Sequence, residues 1–509
     1  MTVLSEIDTG PSAPPPAPFN LAAYVLAQAP RHPDRIALQV IGLSGAERWS
    51  FGRLAAAVRG TGTGLRALGL APGDRVLMRL GNTPDFPVVF LGAIAAGLVP
   101  VPTSAALTTP EVDRIVAQIA PAAIVAAPGV ALPSASACPV IAQDTARGWH
   151  AAAPCDWHMS DPDALAYVVY TSGTSGNPRA VMHAHRAVWA RRMMWQGWYG
   201  LTPDDRLLHA GAFNWTFTLG TGLLDPWAMG ATALIPAPGT PPEALALLMR
   251  RHDATIFAAA PGLYRPLLRD GARLDLPHLR HGLSAGEKMP PTTRAAWAAA
   301  TGTEVHEAFG MSECSTFLSG SPDRPAPQGT SGFAQPGRRI AILGPDGAPV
   351  PRGAPGVLAV HRSDPGLFMG YLGAADETAA KFRGDWFCTG DMGTMDDASA
   401  ITYLGRDDDM LNAGGVRVSP LEIEGALNTH PAITESAACE IRVKADVSVI
   451  AAFYVSGADI PEADLHAFAA ERLARYKQPR LYIRRDSLPR GANNKLARRK
   501  LREEYEARP

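Results

Sequence analysis

Tyr170-Thr171-Ser172-Gly173-Thr174-Ser175-Gly176-Asn177-Pro178-Arg179 is the stretch on which the reading of this chain turns. It follows the apolar run Ala164 to Val169, which reads as a buried strand. From Thr171 to Gly176 every residue is a small hydroxyl residue or a glycine. Glycine lets backbone approach a ligand closely. Backbone N–H groups and hydroxyls can then converge on phosphate oxygens, and Arg179 adds positive charge. No Lys-Ser/Thr pair closes the loop, so this is not the common nucleotide-binding spacing. A plain surface turn has the same composition, so the phosphate reading needs support from the rest of the chain.

Four further segments supply that support. Glu307-Ala308-Phe309-Gly310-Met311-Ser312-Glu313 combines an aromatic, a hydroxyl and two carboxylates. Trp386-Phe387-Cys388-Thr389-Gly390-Asp391 ends on a turn-like Gly-Asp pair. Gly405-Arg406-Asp407-Asp408-Asp409-Met410 is a charged junction followed by Gly414-Gly415. Leu488-Pro489-Arg490-Gly491-Ala492-Asn493-Asn494-Lys495-Leu496 is a polar loop leading into a helical pattern. Taken singly, these read as a core aromatic with an exposed acid, a turn, a solvated loop and a surface lysine.

In this order the five segments resemble the adenylate-forming superfamily of acyl-CoA synthetases, luciferases and peptide-synthetase adenylation domains. The resemblance covers nearly the whole chain. It implies a phosphate loop at Thr171, Ser172, Gly173, Thr174, Ser175 and Gly176, with Arg179 and Ser312 also at the phosphates. It implies an adenine and ribose site at Gly286, Glu287, Glu307, Ala308, Phe309, Asp391 and Arg406. Glu313 would hold Mg²⁺, a hard cation suited to a carboxylate. Asp408 would be a hinge, and Gly414 and Gly415 would line a CoA tunnel. Lys495 would stabilise charge as a carboxylate attacks the ATP α-phosphate. The implied reaction forms an acyl-adenylate with release of pyrophosphate. A thiol then takes the acyl group and AMP leaves. Five positions depart from the usual motifs: Arg179 stands for lysine, Ala180 and Asn494 for glycine, and Phe309 and Ser312 stand where the family often has tyrosine and threonine. Arginine keeps the charge with a different geometry.

Within the superfamily, Phe217 to Leu223, Leu283 to Glu287 and Gly329 to Gly332 look most like benzoate–CoA ligases and related aryl or cyclic acyl ligases. The acyl pocket is expected at Phe213, Asn214, Trp215, Phe217 and Gly310. Those aromatics suit a flat or compact apolar acid, though they could equally pack a sheet. The alternatives are a medium-chain fatty acyl–CoA ligase and an enzyme that loads a phosphopantetheinyl carrier protein. Arg442, Lys444, Arg475 and Lys477 would serve free CoA or a carrier alike. A non-catalytic scaffold is disfavoured because Glu313 and Lys495 are both present.

The expected fold is α/β. A large N-terminal domain of layered α/β subdomains, with a small barrel-like region, precedes a smaller mobile α+β domain. The expected boundaries are a flexible proline-rich lead at 1–18, an adenylation domain at 19–407 and a C-terminal domain at 408–509. Helices are expected at Phe51–Leu68, Thr109–Ile119, Arg186–Gly197, Pro242–Arg251, Leu421–Asn428, Glu462–Tyr476 and Leu496–Tyr505. The chain has 509 residues, 47% apolar, with a formal net charge of -1. That length carries more than one folding unit, and that charge gives no sign of a nucleic-acid or anionic-membrane surface. Five cysteines without ligand spacing fit reduced thiols and a cytoplasmic enzyme, monomeric or homodimeric. The apolar run at Phe90–Val101 is too short to span a bilayer.

Overall fold

The computed structural model describes residues 3–10, 13–171, 179–269, 271, 273–413, 416–444, 447–490 and 496–507. They form two compact units: Ile7–Arg339 with Val360–Asp385, and Met1–Glu6 with Ile340–Ala359 and Trp386–Pro509.

The larger unit is built on three sheets. The nine-stranded sheet has at its centre the parallel strands Val305–Met311, His281–Ala285, Ile256–Ala259, Arg206–Ala210, Thr232–Pro236 and Ile36–Ile41, in that spatial order. A parallel four-stranded sheet orders Val99–Pro102, Arg75–Arg79, Ala123–Ala126 and Val140–Ala142. The small antiparallel sheet, Gly370–Tyr371, Arg179–Ala184 and Leu165–Thr171, carries the ends of the phosphate-loop segment. Central strands such as Ile256–Ala259 are buried along their whole length. Their uninterrupted apolar runs are what a parallel sheet covered on both faces demands.

Helices form where periodicity and caps agree. Thr109–Ile119 begins at a capping box in which Thr108 N–H donates to Glu111 at 2.7 Å. Phe51–Ala67 keeps its helix despite four glycines, because Phe51, Leu54, Val58 and Leu65 all face the core. The expected single helix at Arg186–Gly197 is instead broken. Arg186–Ala190 and Arg192–Met194 are α-helical, and Trp195–Tyr199 is a π-helical turn. Trp198 and Tyr199 are fully buried there, and the Trp198 indole N–H donates to His306 O at 2.9 Å. Seating two large rings in the core wins over regular i→i+4 pairing.

Arg339–Leu343, Gly356–His361, Trp386–Met395 and Ile401–Arg406 are consecutive neighbours in a further sheet. The expected flexible lead is corrected in part: Glu6–Asp8 is a strand at this sheet's edge. Ser5 beside it is fixed by Ser5 N–H to Val350 O at 2.7 Å and Ile342 N–H to Ser5 O at 2.9 Å. The prolines begin only at residue 11, so this segment keeps its backbone donors.

The C-terminal part is α+β. Ile433–Lys444 and Val447–Ser456 pair antiparallel, with Leu481–Arg485 parallel to the second. Alternating residues bury both faces. Ala438 and Ala452 pack with Ile423, Leu427 and Leu465, whereas Ala437, Cys439 and Phe453 pack with Leu501. The helices are Pro420–Leu427, Glu462–Ala470 and Arg498–Glu506. The expected helix to Tyr476 stops at Ala470, and a short 3₁₀ turn follows at Arg475–Lys477. No described helix is long and apolar enough to cross a membrane.

Candidate active site

Ser172 to Gly176, Gly414, Gly415 and Lys495, together with the side chain of Asp408, lie outside the described residues. What is described is the frame around them. The phosphate-loop segment starts and ends on a cross-strand pair, Thr171 opposite Arg179. The Lys495 segment is closed by a bridge between Arg490 and Leu496, by Ala497 N–H to Pro489 O at 2.9 Å, and by an Arg490–Glu435 ion pair at 2.5 Å. Antiparallel pairing brings the two ends of each segment together.

In the larger unit, Glu313 is buried at the turn between Val305–Met311 and Ser315–Ser319. Tyr371 O–H donates to Glu313 Oε1 at 2.7 Å. Burial, then the negative charge of Glu313, raises the Tyr371 pKa well above its ordinary value, so the phenol stays a donor. The Arg179 guanidinium lies 5.2 Å from the Tyr371 ring centroid and pairs with Glu377. Arg179, Tyr371 and Glu313 are therefore linked in a row. Nothing in the sequence marks Tyr371, because its partner is 58 residues away. Neutral His183 donates from Nε2 to the Ser312 carbonyl oxygen at 2.8 Å, and burial holds its pKa down to about 4.

The same motif contains two residues committed to structure. The Glu307 carboxylate accepts Met289 N–H at 2.8 Å and pairs with Arg294. A Cβ at Gly310 would sit 2.3 Å from the Ser315 carbonyl oxygen, so glycine there permits the close approach of two strands. Phe309 packs edge-on against Phe317, with centroids 5.5 Å apart. Beneath the turn, Arg191 and Asp225 form a buried ion pair at 2.6 Å, and Arg191 Nη1 donates to Ser315 Oγ at 2.6 Å. Ser315 itself has φ +60°, a strained value for a non-glycine residue.

Besides Gly310, the four residues expected in the acyl pocket divide. Phe213 is fully buried against Phe86 in the main core, with centroids 5.5 Å apart. Trp215 and Asn214 are half-buried, and Phe217 is buried beside Trp215 and Trp198. A Cβ on Gly286 would lie 2.7 Å from the Trp215 ring, so the structure brings Gly286 and Trp215 together. Asn82 holds this loop: it donates to Gly211 O at 2.6 Å and accepts Phe213 N–H at 3.0 Å. Asn82 carried no signal beyond a turn-forming Gly-Asn pair.

In the smaller unit, Asp391 is buried on Trp386–Met395, directly opposite Arg406. Tyr403 O–H lies 3.4 Å from Asp391 Oδ1, and Arg406 Nη1 lies 3.6 Å from the same oxygen. Gly390 has φ +79°, and a Cβ there would come within 3.1 Å of Arg406 Nη2. Beyond the Asp407–Asp409 turn, Arg498 pairs with Asp409 at 3.5 Å and with buried Glu424 at 2.7 Å. That contact ties the turn to the helix after the Lys495 segment.

Among the described residues no three His, Cys, Asp or Glu side chains form a metal-holding group. A buried carboxylate such as Glu313 still fits a cation that takes most of its ligands from water and phosphate.

Residues 25–372 match the family described as AMP-binding enzyme, and residues 422–495 match the AMP-binding enzyme C-terminal domain. The chain is 31% identical to a benzoate–CoA ligase of Thauera aromatica, over 91% of this chain and 92% of that protein. It is similar in structure to a benzoate CoA ligase from Burkholderia xenovorans LB400, with a TM-score of 0.84, 29% identity, and 95% and 100% of the two chains covered. It is likewise similar to ATP-bound MatB from Rhodopseudomonas palustris, with a TM-score of 0.87, 28% identity, and 96% and 99% covered.

Proposed function

Because the chain belongs to the AMP-binding enzyme family, we propose that it is an ATP-dependent carboxylic acid–CoA ligase acting on an aromatic or compact apolar acid, in the cytoplasm. The supporting observation is the pair of buried carboxylates, Glu313 and Asp391, each in its expected motif and each beside a tyrosine hydroxyl. Asp391 accepts the ribose hydroxyls, with Arg406 beside it. Thr171, Ser312 and Arg179, with residues 172–176, receive the phosphates. Gly286, Glu287, the backbone of Glu307, Ala308 and Phe309 border adenine. Asn214, Trp215 and Phe217 border the acid.

Glu313 is the residue that would hold Mg²⁺, which when bound would neutralise charge on the polyphosphate. The chain's own contribution to the first step is positional. It brings a carboxylate oxygen in line with the α-phosphorus, and Lys495 stabilises the charge that develops between them. Pyrophosphate leaves, and the acyl-adenylate is held out of water. The segment from Asp408 then turns, withdrawing Lys495 and presenting Gly414 and Gly415 to the pantetheine arm. The CoA thiol attacks the activated carbonyl and AMP leaves.

The test is a panel of carboxylic acids with ATP and Mg²⁺, with and without CoA, read by mass spectrometry and AMP release. Acyl-CoA from benzoate-like acids is the expected result. Adenylate that passes only to a pantetheinylated protein would replace CoA with a carrier. No adenylate from any acid, in folded protein, would overturn the ligase reading.

A further inference from the structure

Two buried polar side chains beside the aromatic set have no partner among the described residues. His209 is 1% exposed with both ring nitrogens unsatisfied, and Thr218 is fully buried with Oγ1 unsatisfied. Such groups are rare in native interiors because losing water without a replacement bond is costly.

They share one place. A Cβ on Gly211 would lie 2.4 Å from Thr218 Oγ1 and 3.1 Å from His209 Cε1. His209 sits one residue from the C-terminal end of its parallel strand, where open α/β sheets bind ligands. Its register partner is Ala258, whose own partner is Leu283. Alternation puts Ala285 on the same face, and Ala285 pairs with Ala308, the residue before Phe309. That face therefore carries Ala258, Leu283, Ala285 and Ala308 between His209 and the Phe309 motif, three of the four being alanines. Phe217 packs edge-on to His209, with centroids 4.5 Å apart, and Phe217 in turn meets Trp215 at 5.4 Å.

The chemistry of the pair selects the occupant. Burial holds the His209 pKa down to about 3, so at neutral pH the ring offers one N–H donor and one lone pair. Thr218 can donate and accept. A second carboxylate has no proton to give the imidazole lone pair and would carry a full charge into a buried site, and an apolar substituent would satisfy neither group. A hydroxyl gives one O–H to the imidazole lone pair and accepts from the threonine. We infer that the acid activated by this enzyme carries a hydroxyl on its compact body, received by His209 and Thr218. This rests on the ligase reading above.

The test uses matched acids: benzoate, its three hydroxy isomers, the fluoro analogues as size controls, and cyclohexanecarboxylate with its hydroxylated forms. kcat/KM from AMP release is measured for the wild type, Thr218→Val and His209→Phe. One hydroxylated acid is expected to exceed its unsubstituted and fluoro counterparts by roughly 10²-fold or more. Thr218→Val, nearly isosteric, should cut that ratio by about tenfold or more, and His209→Phe should move it the same way. The ratio within each variant cancels any general loss, and Thr218→Val decides alone if His209→Phe does not fold. A ratio near one for every isomer, or a ratio that Thr218→Val leaves unchanged, would overturn the inference while leaving the ligase reading intact. AMP release from no acid at all would remove both.

Discussion

Glu313 in the larger unit and Asp391 in the smaller one are built from the same three parts, a buried carboxylate, a tyrosine and an arginine, assembled differently. Tyr371 reaches Glu313 at 2.7 Å, whereas Tyr403 stands 3.4 Å from Asp391. Arg179 lies across the tyrosine ring from Glu313 and pairs with another acid, whereas Arg406 lies 3.6 Å from Asp391 itself. One Glu313 oxygen is therefore held by a neutral donor with no arginine in contact among the described residues, which leaves the carboxylate's charge for a cation. Asp391 has an arginine beside the same oxygen that Tyr403 approaches. That difference fits the roles proposed for them, Mg²⁺ at Glu313 and the ribose hydroxyls at Asp391.

The largest difference expected between the two units is in their response to acid. Burial holds His183, His185, His281 and His306 down to about 4 and His209 to about 3, and all five are in the larger unit. The histidines of the smaller unit are His430 and His466, neither of them buried. A histidine whose folded pKa is depressed takes up its proton first in the unfolded chain. Its stabilising contribution is whole above about pH 6.5 and falls as pH drops toward 4. At most, a fully buried ring held down to about 4 contributes about 3 kcal/mol and His209 about 5 kcal/mol. Of the ten tryptophans only Trp386 is in the smaller unit, so tryptophan fluorescence follows the larger one. Melts from pH 7 to pH 5, a range in which unfolded carboxylates remain ionised, should show its Tm falling steadily. A Tm unchanged over that range would break the contrast.

Next in size are the effects on the two half-reactions. Lys495→Ala should slow adenylation by roughly 10²-fold or more, because a placed electrostatic contact in the transition state is worth several kcal/mol. Thioester formation from supplied acyl-adenylate should change much less. Equal losses in single-turnover assays of both steps would sink the proposed alternation about Asp408. Glu313→Ala should lower kcat by tens of fold, whereas Asp391→Ala should raise the KM for ATP by roughly tenfold with a smaller change in kcat. The reverse pattern would exchange the roles assigned to the two carboxylates.

The residues that carry these predictions were not equally legible in the sequence. Glu313, Asp391 and Arg406 stand in short contiguous motifs, where local spacing is the signal. Tyr371, Glu377, Asn82 and the Arg191–Asp225 pair are joined to the site only through the fold, across separations that no local pattern records. The elements followed the same rule. Thr109–Ile119 forms as expected, and the cap that starts it is local as well. Arg186–Gly197 was misread because the burial of Trp198 and Tyr199, which depends on strands far along the chain, redirects the backbone. Gly310 was read as room for a ligand, although a strand crossing also requires it.

The smallest expected effects separate the two tyrosines. Tyr371→Phe removes the donor from a buried carboxylate at 2.7 Å, leaving Glu313 Oε1 without its protein partner. Losing a hydrogen bond to a charged group costs about 1.5–3 kcal/mol, so activity at limiting Mg²⁺ should fall by roughly tenfold. Raising Mg²⁺ should recover part of that loss, because the metal then takes over the orienting role. Tyr403→Phe removes a contact of 3.4 Å beside an arginine that remains, so the KM for ATP should rise by less than about threefold. Titrating both variants with Mg²⁺ and with ATP places them on separate axes. If Tyr403→Phe were the more damaging, or if Tyr371→Phe shifted only the ATP curve, the short hydrogen bond would not be what distinguishes the two carboxylates. The arginine contact at Asp391 would then be the distinguishing feature, and Arg406→Met would be the variant to compare with Tyr371→Phe.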